Sequence, residues 1–199
     1  VGSEPVAGFG KALNFEVNRR IDIPYNDSTK IAGNSDFTVS MWIFPEGQTG
    51  CKTLYYQRGA GNGFLSTWLR YEYDATDNYA YLYVAFDKFN DGGWKYSWDW
   101  GSAIPSNVKF PINKWTHVAL TKSGRNVDTY IDGEHSHWFD LGEKHFGAPA
   151  SISGTISVGG DSNNATNYFD GRIDEVQFWN TALSQDEIND WMYREIDST

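Results

Sequence analysis

The segment Phe37-Thr38-Val39-Ser40-Met41-Trp42-Ile43 puts Phe37, Val39, Met41 and Ile43 on one side of an extended chain. A period of two marks a strand with one buried face, because successive side chains leave a strand on opposite sides. The same signal recurs along most of the chain. Trp115 to Thr121 is rich in β-formers. Val127-Asp128-Thr129-Tyr130-Ile131 runs straight into Asp132-Gly133, a strong signal for a two-residue hairpin. Further strands are predicted near 12–15, 20–24, 53–58, 64–73, 79–86, 94–100, 152–158 and 172–179. Turn signals at Gly47, Gly59 to Gly63, Asp91-Gly92-Gly93, Ser123-Gly124 and Gly159-Gly160 separate them. Short strands punctuated in this way specify an all-β, antiparallel β-sandwich.

One short C-terminal helix is expected. Ser184-Gln185-Asp186-Glu187 fits a capping box, in which the Ser184 hydroxyl accepts from the Glu187 amide while the Glu187 carboxylate reaches back. Leu183 and Ile188 are placed to form the hydrophobic staple across that cap, and about two helical turns lead to the neighbourhood of Tyr193. There is no internal repeat and no low-complexity linker, so residues 1–199 read as a single domain.

Charge and cysteine content exclude several functions. The 26 acidic side chains outnumber the 16 basic ones for a net charge of −10, which argues against nucleic-acid or anionic-membrane partners. A lone cysteine, Cys51, forbids an intrachain disulfide and a multi-thiolate zinc site, and reads as a free, buried thiol. No apolar run approaches the ~18 residues of a membrane span. The opening Val1-Gly2-Ser3-Glu4-Pro5 has neither the basic flank nor the apolar core of a secretion signal.

Aromatic residues make up 17% of the chain, more than one core of this size can absorb. Thirteen of them fall within residues 64–100. If Trp94-Lys95-Tyr96-Ser97-Trp98-Asp99-Trp100 is extended, Trp94, Tyr96, Trp98 and Trp100 form one row of rings, spaced ~6.5–7 Å apart. Tyr79, Tyr81 and Tyr83 form a second row, with Phe86 on the other face. Two roles are open to such rows: they line the core, or they present flat surfaces on which the C–H faces of sugars stack. Trp42, Trp115, Trp179 and Trp191 fall in framework segments and are assigned to packing. Trp68, Trp94, Trp98, Trp100 and Trp138 are left over, and two or three of these, with Tyr96, are expected to line a ligand site. In the polar stretch 87–93, Asp87, Asn90 and Asp91 either accept sugar hydroxyls or simply form the turn.

Three segments together resemble the laminin-G-like, or concanavalin A-like, jelly-roll superfamily. They are Ala12 to Val17 with Ile21-Asp22-Ile23-Pro24 and the strand 37–45; Trp115 to Ala119 with Tyr130-Ile131-Asp132-Gly133; and Phe169-Asp170-Gly171-Arg172-Ile173-Asp174-Glu175-Val176 with Asn180 to Ser184. The resemblance covers nearly the whole chain. It implies a jelly roll with one concave sheet, a glycan or protein partner outside cells, and a targeting or adhesion role beside other domains of a larger extracellular or cell-surface protein. It also implies a structural calcium near the start of the domain, with Glu16, Asn18 and Asp174 in the matching positions, although Glu16-Val17 stands where the family often has Asp-Gly.

Two chemical alternatives are open. His135 and His137 would share one side of a regular strand and so offer a transition-metal pair, or they are simply exposed hairpin residues. The superfamily also includes retaining glucanases, whose pattern E-x-D-x-x-E sets two carboxylates ~5–5.5 Å apart. Glu72-Tyr73-Asp74-Ala75-Thr76-Asp77 approaches it but ends in Asp, and Asp74 to Asn78 reads as a turn that would splay the carboxylates. The expected function is therefore non-catalytic glycan or polysaccharide binding, with protein–protein adhesion as the alternative use of the same aromatics.

Overall fold

The alternating segment becomes a nine-residue strand at the centre of one of two packed sheets. The computed structural model describes residues 11–16, 18–24, 35–47, 49–57, 65–76, 78–88, 109–140, 155–161 and 167–194. The strands are β1 (Leu13–Phe15), β2 (Ile21–Ile23), β3 (Phe37–Pro45), β4 (Gly50–Gln57), β5 (Leu65–Asp74), β6 (Tyr79–Lys88), β7 (Phe110–Pro111), β8 (Thr116–Ser123), β9 (Asn126–Ile131), β10 (Glu134–Asp140), β11 (Ile156–Val158) and β12 (Gly171–Trp179). Among the described residues one helix, α1 (Gln185–Trp191), follows them. Two antiparallel six-stranded sheets result, in the orders β1-β12-β3-β8-β9-β10 and β2-β11-β4-β5-β6-β7. This is the β-sandwich jelly roll with one short helix that the sequence predicts.

Period two decides what each sheet buries. Phe37, Val39, Met41 and Ile43 of β3 meet Val118 and Leu120 of β8, and they pack against Leu54, Leu69, Tyr71 and Leu82 of the facing sheet. Outward positions of β3 are not bare. Trp42 is buried on the outer face, its indole N–H donating to the Met192 carbonyl at 2.9 Å and its ring meeting His117 edge-on. Helix α1 lies on this face. Leu183 and Ile188, the expected staple, are buried with Ala119, Tyr130 and the half-buried Trp179. Both halves of the capping box form at Ser184 and Glu187.

The hairpin joining β9 to β10 forms as predicted. Asp132 and Gly133 have φ of 50° and 78°, the left-handed pair that a two-residue turn needs. β10 then departs from the regular strand assumed in the sequence. Its register shifts between His135, opposite Tyr130, and His137, opposite Thr129. That bulge sends the two imidazoles to opposite faces, so they do not form a metal-binding pair. His135 instead meets Asp128 at 2.8 Å.

Candidate functional site

The outer face of the β2–β7 sheet gathers polar and aromatic side chains that have no role in the core. Across the ladder, Asp22, Ser157, Tyr56 and Trp68 occupy one row of outward register positions; Thr53, Arg70 and Tyr83 a second; Cys51, Glu72 and Tyr81 a third. Arg70 Nη2 donates to Asp161 Oδ2 at 3.3 Å, with only 10% and 5% of the two side chains exposed. A charged pair this deep on the outside of a sandwich is a polar centre, not packing. Beside it, Asp22 accepts from the Arg20 guanidinium at 2.8 Å and from Ser157 Oγ at 2.7 Å, and these bonds hold its carboxyl below the usual range. Arg20 also donates to the Tyr168 hydroxyl at 3.1 Å.

The tyrosine row lies on the same face. Burial, reinforced by a hydrogen bond to Glu72, pushes the Tyr83 phenol up to about 12, so it is a hydrogen-bonding group at neutral pH. The Lys109 ammonium sits 5.4 Å from the Tyr81 ring centre and 6.0 Å from that of Tyr79, which is 42% exposed. Cys51 is half-buried opposite Glu72, and burial raises its thiol pKa. The face thus offers carboxylates and guanidinium groups beside exposed ring edges, a set suited to a polyhydroxylated ligand.

The other sequence-predicted residues disperse. The ladder sets Trp68 opposite Ala85 and Asp87 opposite Ser66, and their side chains lie outside the described part of the structure. Trp94, Tyr96, Trp98, Trp100, Asn90 and Asp91 lie outside the described residues. Trp138 is 59% exposed but belongs to β10, so it faces away from the other sheet and shares no site with Trp68. The core claims Tyr71, and Tyr73 packs against it, because both take the inward parity of β5. Sequence reasoning passed over Arg70, Asp161, Arg20, Tyr168 and Lys109. Only the outward parity of Arg70 next to Leu69 and Tyr71 signalled any of them.

The residues expected to hold calcium lie apart along the β1–β12 ladder. Phe15 pairs with Gly171 and Leu13 with Ile173, so Glu16 and Asp174 lie beyond opposite ends of β1. Four rungs separate their backbone positions, about 13 Å. Glu16 pairs with Arg19 at 3.2 Å, Asn18 is an exposed turn residue with φ of 68°, and Asp174 Oδ1 accepts from the Glu175 N–H. Among the described residues no group of three or more His, Cys, Asp or Glu is placed to hold a metal ion.

The fold is a jelly-roll β-sandwich. The chain belongs to the concanavalin A-like lectin/glucanases superfamily, whose laminin-G pattern matches residues 18–189. Three solved structures share the fold. Domain 4 of an extracellular arabinanase from Geobacillus stearothermophilus, in complex with arabinotriose, is 20% identical, with 91% of this chain and 76% of that chain covered and a TM-score of 0.62. A heptameric SAP-like pentraxin from Limulus polyphemus is 15% identical over 87% of this chain and 82% of its own, with a TM-score of 0.54. A putative carbohydrate-binding protein from Bacteroides ovatus is 21% identical over 89% and 45%, with a TM-score of 0.57. No curated protein sequence matches the chain. Among the described residues no helix is long and apolar enough to cross a membrane.

Proposed function

We propose that this chain is a non-catalytic carbohydrate-binding module, the targeting or adhesion part of a larger extracellular or cell-surface protein. A glycan lies on the outer face of the β2–β7 sheet, stacking on Trp68 and the Tyr79–Tyr81–Tyr83 row. Arg70, Asp161 and Glu72 exchange hydrogen bonds with its hydroxyls. The observation that carries this reading is the juxtaposition of the buried Arg70–Asp161 pair with three tyrosines at outward positions of one strand. The arabinotriose complex of the similar arabinanase domain supports a saccharide as the class of ligand.

The same geometry supports the absence of catalysis. Asp74 closes β5, and its carboxylate accepts from the Thr76 N–H at 2.7 Å, so it serves the turn, as its position in the sequence suggested. Glu72 is engaged with Tyr83. A glycan array read with tryptophan fluorescence tests the proposal. Binding to the array, weakened by Tyr81→Ala, is expected, with no reducing sugar released. A silent array refutes glycan binding and favours protein adhesion. Sugar release that Glu72→Gln abolishes identifies a glycosidase instead.

A further inference from the structure

The outer face of the other sheet carries a second row of side chains. Asn14 of β1 stands opposite Arg172 of β12, and Arg172 opposite Phe44 of β3. Ile43 pairs with Thr116, so Trp115 comes next in line beside Phe44. The Arg172 guanidinium lies over the Phe44 ring with its carbon 3.6 Å from the ring centre, and 5.7 Å from that of Trp115. The two rings meet edge-on at 5.6 Å. Four neighbouring strand positions span about 14 Å, longer than one sugar ring.

Arg172 is the unexplained member of this row. Its Nε is buried with no hydrogen-bond partner. Among the described residues it takes part in none of the ion pairs, although the chain carries 26 carboxylate side chains against 16 basic ones. Asp174, two residues along the same strand, directs Oδ1 at the Glu175 N–H instead. A guanidinium held 3.6 Å over one ring offers a planar fork that can receive a carboxylate through two N–H groups. The buried Nε is covered by protein and out of a ligand's reach, so a carboxylate is met by the terminal nitrogens of the guanidinium, which make no ion pair among the described residues.

From this we infer that the outer face of the β1–β10 sheet holds a second saccharide site, for a sugar bearing a single carboxylate. Arg172 receives the carboxylate, the half-buried Trp115 ring takes the sugar face, and the exposed Asn14 amide takes a hydroxyl. The net charge of −10 works against densely charged polyanions, so the matched ligand carries one anionic group amid neutral hydroxyls. This site lies across the sandwich from the Arg70 face and stands or falls independently of it.

Cellobiouronic acid and cellobiose, which differ by one carboxylate, are titrated into the full chain by calorimetry and ligand-observed NMR. The acid is expected to bind about tenfold more tightly, and Arg172→Gln to erase that advantage. Asn14→Ala, on an exposed edge, is expected to reduce affinity for the acid. The methyl ester of the acid, offered to the unaltered chain, should behave as cellobiose does, which tests the carboxylate without altering the fold. An acid that binds no better than cellobiose overturns the inference. So does an advantage that persists in Arg172→Gln.

Discussion

Replacing Asp161 with Asn removes the carboxylate that faces Arg70 while leaving the guanidinium nine-tenths enclosed. Breaking a buried ion pair from one side costs about 3–5 kcal/mol, because the remaining charge stays desolvated. The 3.3 Å separation is long for a charge-assisted bond, so the lower end, about 3 kcal/mol, applies here. For a domain of this size, each kcal/mol lowers Tm by about 2–4 °C, giving a drop of about 6–12 °C. The double variant Arg70→Met with Asp161→Leu removes both charges and fills the space with apolar atoms, which restores stability to within ~1 kcal/mol of the original. Urea denaturation and calorimetry of the three proteins make the comparison. A loss below about 1 kcal/mol in Asp161→Asn would refute the reasoning. A double variant no more stable than the single one would refute it as well. The double variant also separates stability from recognition, since it should stay folded and lose the glycan.

Two further outcomes follow from burial and backbone geometry. Burial beneath the Trp42 ring pulls the His117 imidazole down to about 3, so the unfolded chain takes up a proton below ~6.5 that the folded chain refuses. Its share of stability is complete above that value and is lost progressively as pH falls toward about 3. His117→Phe should flatten the fall of the urea midpoint between about pH 6.5 and pH 4, and identical pH profiles would contradict this assignment. At Gly133, φ is 78° and a Cβ would collide with the Asn189 side chain of α1. Gly133→Ala should therefore cost at least ~1–2 kcal/mol and lower Tm; an unchanged Tm would show that the turn and helix are not coupled.

Most of the strand pattern was legible because the signals were local. The alternation in β3, the Asp132-Gly133 turn and the cap at Ser184 each depend on residues within a few positions, and each appears in the predicted place. The tandem histidines of β10 failed for an equally specific reason. A bulge at Ser136 inserts one residue against a single partner, and parity counted from sequence is wrong beyond it. Parity also divided the aromatics. Tyr71 and Tyr73 take inward positions of β5, whereas Tyr79, Tyr81 and Tyr83 take outward positions of β6.

The sequence by itself determined that the chain forms a sandwich, where the Asp132-Gly133 turn falls and how the helix begins. These follow from period, backbone preference and composition, which a single strand or turn already expresses. Only the tertiary structure decided which sheet each strand joined. Ladder neighbours such as β11 and β4, or β1 and β12, come from distant parts of the chain. That pairing placed Asp161 against Arg70, set Arg172 on Phe44, moved Glu16 away from Asp174, and put Trp138 across the sandwich from Trp68. The partner of a charged or aromatic side chain is fixed by strand order, and strand order depends on the whole core closing at once.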